Sequence, residues 1–500
     1  MAPSPPDFPP PNPQEHLVTF SPTDPKNPRN FPLWRKWSII ASITLIDLTV
    51  SFGASGYSPA TENLISHFGV SAEVGTLGLS LYVLGLALGP MSLGPLSEYY
   101  GRTPLYILPY GTFLLFLIGT ALVQNIAGFL ILRFFSGMFA SVTIANFGGT
   151  IADLWPRESV GPAMYIFLWA AVCGSPMGFF LMSFVAEHHG WRTVFWALVG
   201  ICGGSWVIMV VVLVPFANET RHSVLLRRQA GELNRRNDGN RYVVPEEMRA
   251  KTVRQLFGVT LSRPFRFLST ELIVIFCALY NGFLYGLSFL FNGAFSLVYG
   301  EKGYGFDTRG VGLTFLGLVV GISLGPFISI LQERHYQKEI RIDGAEQEED
   351  GRPLKVKYKP EARVQQGKIA GVTLPISLFW FAWTSPPQYD IHWIVPVMAT
   401  ALFGWSFYTL ILTTYLYAEE SYLHFAASAL AGIGLIRNLF GCVFPLFGKQ
   451  MFTGLGYNWA GTILACVAVL LMPIPFILEK YGPQLRARSP YARQHMDDVD

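Results

Sequence analysis

Three ionisable side chains lie within stretches of the sequence that are otherwise apolar. Asp47 stands in SITLIDLTVSFG, Arg133 in FLILRFFSGMFAS and Arg437 in GIGLIRNLFG. A charge at the centre of a bilayer costs about 2.5–3.5 kcal/mol on insertion scales, so such residues are functional candidates. An aspartate can take up and release a proton, whereas an arginine stays charged and attracts anions or pairs with an acid.

The depths of two of these residues suggest that they meet. At about 1.5 Å per helical residue from the outer end of its span, Asp47 lies roughly 15 Å deep and Arg133 roughly 11 Å deep. We therefore predict that they pair and that Asp47 carries a proton whose release depends on this contact. A permanent ion pair that only fixes helix packing, and no contact at all, are the alternatives. For Arg437, a structural role and attraction of an anionic substrate group are both open.

The elements that position these residues are predicted to be membrane helices. Of the 500 residues, 51% are hydrophobic and 14% charged, whereas about a quarter are charged in soluble domains. Continuously apolar runs of about 20 residues indicate helices rather than a membrane barrel. We predict an all-α integral membrane protein with twelve spans: 37–58, 75–95, 105–124, 126–149, 162–185, 194–216, 270–296, 310–331, 370–386, 392–417, 424–446 and 459–478.

The Lys and Arg residues predict the topology. Most of the 36 fall in segments that share one side with both termini, which indicates cytoplasmic ends. The predicted organisation is a disordered Pro-rich cytoplasmic tail, a six-helix bundle, a basic cytoplasmic linker near anionic lipid, a second six-helix bundle and a cytoplasmic tail. Their ranges are 1–36, 37–216, 217–269, 270–478 (with a cytoplasmic loop at 332–369) and 479–500.

The two predicted bundles carry a short repeat. SLGP occurs at Ser92–Pro95 near the end of the second span and at Ser323–Pro326 near the end of the eighth. This position in both halves is expected of a duplicated six-helix bundle, in which a substrate cavity lies between the halves near the bilayer midplane. The pattern therefore predicts a transporter.

The segment GPLSEYYGR follows the second span and matches the signature G-x-x-x-D/E-x-x-G-R. With this motif and two six-helix halves, the chain resembles the major facilitator superfamily, in which this loop is a conformational latch. Its glycines, Gly94 and Gly101, would let helices approach closely, and Glu98 can face a positively polarised helix N-terminus. Arg102 can pair with Asp153 at the end of the fourth span. A tight polar turn that only anchors two helices is the alternative.

Two further spans resemble family motifs. Arg133 and Gly137 match an R-x-x-x-G element whose arginine is linked to proton movement in the family. The fifth span contains Gly174, Pro176 and Gly178, which partly match the antiporter signature G-x-x-x-G-P-x-x-G-G. The G-P dipeptide and the closing glycine pair are absent, so a plain proline kink is the alternative.

The seventh and tenth spans line the cavity in the family that the chain resembles. They carry aromatic rings with polar tips and amides, which suit an amphipathic organic substrate through stacking and a few hydrogen bonds. With Arg437, the predicted substrate-binding residues are Tyr280, Asn281, Tyr285, Asn292, Trp405, Tyr408 and Tyr415.

Longer stretches, among them LFWFAWTS and IRNLFGCVFPLFGKQMFTGLGYNWAG, are similar to fungal twelve-span drug:proton antiporters. The resemblance implies a plasma-membrane exporter of drugs or secondary-metabolite toxins, driven by the proton gradient with no cofactor. We expect a monomer in membrane lipid that binds a small molecule and protons, with no nucleic acid, metal site or enzyme activity. A polyamine:proton antiporter and an uncoupled facilitator or substrate sensor are the alternatives. NETRHS after the sixth span, instead of P-E-S-P-R, disfavours a sugar carrier.

Overall fold

The first half of the chain folds into eight helices that form six spans. In the computed structural model their bounds are α1 (Leu33–Ser55), α2 (Thr61–Phe68), α3 (Ala72–Tyr100), α4 (Arg102–Leu122), α5 (Ile126–Ala140), α6 (Val142–Leu154), α7 (Gly161–His188) and α8 (Trp191–Val212). The structure describes residues 15–21, 23–156, 159–217, 219–236, 241–245, 253–301, 303–349, 360–385 and 391–493.

The linker and the second half supply the remaining helices. Their bounds are α9 (His222–Arg235), α10 (Val253–Thr270), α11 (Leu272–Tyr299), α12 (Thr308–Glu349), α13 (Gln365–Thr384), α14 (Ile394–Tyr422), α15 (Ala426–Leu455), α16 (Tyr457–Leu471) and α17 (Ile474–Arg488). Short 3-10 turns occur at Pro28–Asn30, Ser58–Ala60, Pro360–Val364 and Leu423–Phe425, and a π turn occurs at Leu213–Ala217.

The predicted twelve-span, two-bundle fold is confirmed. Eleven helical segments within the described ranges are long and apolar enough to cross a membrane, and α13, of 20 residues, is the ninth span. The fourth span comprises α5 and α6, which meet at Ser141, and the twelfth comprises α16 and α17. Side-chain caps explain two of the starts, because Ser71 accepts a hydrogen bond from Val74 N and Asn125 one from Gly128 N.

Small residues set the packing within and between the bundles. In the first bundle α3 crosses α5 so closely that a Cβ at Gly137 would lie 2.0 Å from the carbonyl oxygen of Tyr82. In the second bundle α11 packs on α15, and α14 packs on α12 and α13. The bundles meet along two pairs of helices, α3 with α15 and α7 with α12, and this junction contains the candidate site.

Both described chain ends lie at one face of the helix bundle, together with the loop between α3 and α4. We call this the terminal face. Strand β1 (Glu15–Leu17) pairs in parallel with β2 (Arg241–Val243), and Val18 packs in a small apolar cluster with Leu226 of α9. The predicted disorder of residues 1–36 is therefore wrong for this part of the tail, while residues 1–14 lie outside the described ranges. At the other end α17 runs past the predicted boundary at 478.

Candidate functional site

The predicted pair in the terminal-face latch is present. The Arg102 Nε atom lies 3.3 Å from Asp153 Oδ2, and both side chains are almost fully buried. A second guanidinium nitrogen of Arg102 donates to Ser97 Oγ at 2.6 Å. Gly101, with φ +104°, makes the sharp turn from α3 into α4, which brings Arg102 back toward the end of α6.

The acid that faces the start of α4 is Glu219, a residue that the sequence analysis did not single out. Its Oε1 atom accepts hydrogen bonds from the backbone N–H groups of Arg102 at 2.9 Å and Arg221 at 2.8 Å. It therefore satisfies N–H groups that a helix start leaves unpaired. The predicted candidate, Glu98, is only partly buried, and among the described contacts it is the backbone oxygen of Glu98 that Arg227 reaches. The segment NETRHS was the one feature of the sequence that could have indicated Glu219, because it places an acid directly after the sixth span.

The two latch glycines differ in how much space surrounds them. A Cβ at Gly101 would lie 1.9 Å from Glu219 Oε2, whereas a Cβ at Gly94 would meet nothing within 4 Å. Gly101 therefore leaves room for the Glu219 carboxylate rather than for a second helix, and at Gly94 α3 faces open space, so the predicted close approach of two helices is found at neither glycine.

We expect Gly101→Ala to destabilise the terminal face, because alanine is strained at this φ and its methyl group expels Glu219 from the start of α4. Backbone strain of this kind costs about 1–3 kcal/mol, so the unfolding temperature of the purified protein should fall by several degrees. Gly94→Ala is the matched control and should leave it unchanged. Equal unfolding temperatures for the two variants would contradict the assigned role of Gly101.

Further contacts connect the latch to the linker and the tail. Asp153 Oδ1 lies 3.6 Å from Arg221 Nη1 and 3.7 Å from His222 Nδ1. The other ring nitrogen of His222 lies 3.2 Å from Asn27 Oδ1 in the tail. Arg29 reaches the carbonyl oxygen of Ala152 at 3.5 Å. The tail therefore contacts the same end of α6 as the latch.

A second buried ion-pair cluster joins the two bundles at the terminal face. Arg363 bonds Glu333 of α12 and, at 2.8 Å, Glu420 of α14. Tyr165 of α7 donates its hydroxyl to Glu333 Oε2 at 2.6 Å. Burial lowers the pKa of Arg363, but Glu420 and Glu333 outweigh it and hold that pKa above its ordinary value. Sequence reasoning missed this cluster, because Arg363 stands in a charge-rich loop without a recognisable motif.

The bundles also touch at the opposite face. The rings of Phe179 in α7 and Phe315 in α12 stack with centroids 4.2 Å apart. Gln450 of α15 donates to Glu73 of α3 at 3.1 Å. Because contacts between the bundles close both faces, the polar residues near the midplane are enclosed.

Arg133 is fully buried and donates hydrogen bonds to backbone carbonyl oxygens. Its guanidinium donates to the oxygens of Gly78 at 2.9 Å, Gly53 at 2.7 Å and Ala54 at 3.0 Å. Gly53 and Ala54 belong to the last turn of α1, whose carbonyls lack helical partners. No ion pair to Asp47 occurs among the described residues, so the predicted pairing is absent from this conformation. This arrangement of Arg133 could not be predicted, because its acceptors are main-chain atoms and these leave no signature in the sequence.

A charge from the opposite bundle acts on Asp47 without a direct ion pair. Asp47 is 1% and Arg437 3% exposed, and the two interact electrostatically. Thr143 of α6 lies beside Asp47, while the Asp47 Oδ2 and Arg437 Nε atoms have no hydrogen-bond partner. The guanidinium carbon of Arg437 lies 4.7 Å from the Tyr285 ring centroid and 5.7 Å from that of Tyr415. We call these five residues the central site.

The other predicted substrate residues divide into two groups. Asn292 has two unpartnered amide atoms and Trp405 an unpartnered ring nitrogen, so both retain free hydrogen-bonding capacity. Two residues are committed to other contacts, since Asn281 donates to Thr414 at 2.8 Å and Tyr408 to the carbonyl of Tyr165 at 2.9 Å. The hydroxyl of Tyr280, beside Gly371 of α13, is buried without a hydrogen-bond partner, so Tyr280 belongs with Asn292 and Trp405.

The antiporter-like segment lies where α7 packs on α1. The helix runs unbroken from Gly161 to His188 through Pro176. A Cβ at Gly174 would lie 2.4 Å from Ser51 Cβ, and one at Gly178 would lie 2.8 Å from Phe52 Cα. The small residues thus permit a close approach of the helix that carries Asp47.

Two six-helix bundles that enclose a charged, aromatic central site define a membrane transporter. A family model described as Major Facilitator Superfamily matches residues 43–445. The chain belongs to the major facilitator superfamily.

Proteins of similar sequence occur in fungi. The chain is 38% identical to the major facilitator-type transporter sorT of Penicillium rubens, over 95% of this chain and 88% of that protein. It is 37% identical to the MFS-type efflux pump MFS2 of Trichophyton rubrum (95% and 77%), and 34% identical to the efflux pump FUB11 of Gibberella moniliformis (96% and 78%). The solved structure of the proton:xylose symporter XylE shares the fold, with a TM-score of 0.62 and 14% identity over 91% of this chain and 97% of that one.

Proposed function

We propose that this transporter exports amphipathic organic molecules, a drug or a secondary-metabolite toxin, in exchange for protons. The observation that carries the proposal is Asp47, an enclosed carboxylate in one bundle that interacts electrostatically with Arg437 of the other. Buried ionisable residues in transporters mark proton and substrate paths. In this proposal Arg133 stabilises the last turn of α1 through hydrogen bonds to its carbonyl oxygens and so positions Asp47. It does not itself carry a proton.

Proton and substrate would compete at the central site. When Asp47 is ionised, Arg437 balances its charge, and a substrate with hydrogen-bond donors is held by the carboxylate between Tyr285 and Tyr415. Protonation of Asp47 removes that acceptor and weakens substrate binding. The rings offer flat apolar surfaces, and Asn292 supplies further hydrogen bonds. A ligand that binds one protonation state better shifts the population toward that state.

Alternating access would follow from rocking of the bundles. Opening the terminal face requires the contact between Tyr165 and Glu333 to break, whereas the pair of Arg102 and Asp153 stays within the first bundle. Opening the other face requires separation of Phe179 from Phe315. Each opening exposes the central site to one side only.

Support for efflux comes from the relatives, two of which carry efflux pump in their names; another is the multidrug transporter mdrA of Aspergillus fumigatus. We place the termini in the cytoplasm because of the Lys and Arg distribution. Following the resemblance to fungal exporters, we also propose that the protein resides in the plasma membrane as a monomer. Energy would come from the proton gradient without a cofactor. Polyamine export is the second candidate, although Asp47 is the one acid in the central site.

The test is reconstitution in liposomes that contain a pH-sensitive dye. Rhodamine 6G, spermidine and an aromatic polyketide are added in turn, and both substrate and proton movement are recorded. We expect rhodamine 6G or the polyketide to move protons in the opposite direction. Substrate movement without proton movement would replace the proposal by an uncoupled facilitator, and a response to spermidine alone would favour the polyamine transporter.

A further inference from the structure

The last helix of the fourth span, α6, carries a continuous buried polar face. Its members recur at spacings of three, four and three residues, so they lie within one sector of the helix. They are almost inaccessible to solvent, with exposures of 0%, 0%, 1% and 5%. We call Thr143, Asn146, Thr150 and Asp153 the α6 polar face.

The two ends of this face touch groups already described. Thr143 lies beside Asp47 of the central site, and Asp153 pairs with Arg102 in the latch. Ten residues separate Thr143 from Asp153, which corresponds to about 15 Å along the helix axis. The α6 polar face therefore spans the distance between the midplane and the terminal face.

Beside Asp47 the polar groups lack protein partners. Both amide atoms of Asn146 and the hydroxyl of Thr44 are buried without a hydrogen bond, as is Asp47 Oδ2. Thr44 and Asn146 each lie three residues from the Asp47–Thr143 contact toward the terminal face. Buried polar groups of this kind are usually satisfied by internal water, which needs two to four polar partners.

Beyond these groups a hydroxyl pair continues toward the latch. The Tyr106 hydroxyl of α4 lies 3.0 Å from Thr150 Oγ1. Tyr106 lies one helical turn after Arg102 on α4, toward the midplane from the latch. It is 1% exposed, so its hydroxyl serves buried groups rather than solvent.

We propose that the α6 polar face is a proton route between Asp47 and the terminal face, with a water site bounded by Asn146 and Thr44. This inference rests on the proposed proton coupling. Protonated Asp47 gives its proton to that water, which passes one of its own protons to the hydroxyls of Tyr106 and Thr150. Each hydroxyl accepts one proton on its midplane side and releases one on its terminal side. Asp153 receives the proton and releases it to solvent.

Charged and titratable groups from the neighbouring elements bear on this route. They are Asp47 of α1, Arg102 and Tyr106 of α4, Arg437 of α15, Arg221 and His222 of the linker, and Arg29 of the tail. The cations lie at the two ends. The middle, at Asn146 and Thr150, holds neutral groups, which transfer protons without trapping them.

The test compares Asn146→Leu and Tyr106→Phe with the wild type in liposomes, with rhodamine 6G as the probe. Proton-driven uptake is measured after an acid pulse, and exchange of labelled for unlabelled rhodamine 6G is measured without a pH gradient. A positioned proton-transfer group is worth a hundredfold or more in rate, so we expect proton-driven uptake to fall by about tenfold or more while exchange stays within about twofold. Tyr299→Phe is the matched control, since its hydroxyl is also buried but lies outside the route and has no hydrogen-bond partner, and both its rates should be unchanged.

Wild-type rates of proton-driven uptake in both variants would overturn the route. An equal fall in exchange would also overturn it, because the residues would then act in packing or substrate binding. A wild type that exchanges rhodamine 6G without proton movement would instead refute the proposed proton coupling. The two failures are therefore distinguishable.

Discussion

Asp47→Asn is expected to abolish proton-driven transport, while substrate exchange persists with weaker substrate binding. Asparagine keeps the size and hydrogen-bonding capacity of the side chain but cannot exchange a proton. With the neutral side chain fixed, the central site no longer alternates between two charge states. Proton movement on addition of rhodamine 6G should fall to the level of protein-free liposomes, while exchange of labelled for unlabelled rhodamine 6G continues.

The matched control is Asp307→Asn. Asp307 is a half-exposed acid just before α12 that pairs with Arg309 in the first turn of that helix, far along the chain from Asp47. The Asp307→Asn variant carries the same chemical change and should retain proton coupling. Coupling that survives in Asp47→Asn would assign Asp47 to packing, whatever the behaviour of the control.

Arg133→Lys is expected to cause the largest loss of stability among single conservative changes. The guanidinium holds three carbonyl oxygens, two of them in the last turn of α1, and a lysine ammonium has no planar fork with which to reproduce this geometry. Hydrogen bonds to a charged group contribute about 1.5–3 kcal/mol each. Loss of two implies a decrease in the free energy of unfolding of about 3 kcal/mol or more, measured by thermal unfolding of the purified protein in detergent.

Arg192→Lys provides the comparison. Arg192 donates to one carbonyl, that of Val123, at 3.1 Å and is only partly buried. Its replacement should change stability by less than about 1 kcal/mol. If Arg133→Lys kept the wild-type unfolding temperature but lost proton coupling, Arg133 would be a proton-linked residue, as the R-x-x-x-G resemblance implies, rather than a structural support.

The parts of the structure that follow from local sequence were predictable. The apolar runs placed the spans, and the latch motif placed Arg102 opposite Asp153 because both lie at ends of neighbouring helices. Glu219 was missed because it reaches Arg102 across 117 residues and bonds main-chain N–H groups. A main-chain partner leaves no pattern in the sequence.

The central site could not be predicted from the sequence, because its residues come together only where the two bundles pack on each other. Counting depth along the helices placed Asp47 near Arg133, and both do lie in the first bundle. Which side of α1 carries Asp47, and how α15 of the other bundle approaches it, depend on packing that periodicity does not encode. The electrostatic interaction with Arg437 therefore emerged only from the folded chain, and the same is true of the hydrogen bond between Tyr165 and Glu333.

Competition between proton and substrate at Asp47 is the central claim, and the most direct test counts protons on binding. Purified protein in weakly buffered detergent solution at mildly acidic pH is titrated with rhodamine 6G, and released protons are recorded with a pH-sensitive dye. The account predicts release of protons as the substrate binds, with none released by Asp47→Asn. Substrate binding to the wild type without proton release, or with proton uptake, would contradict it.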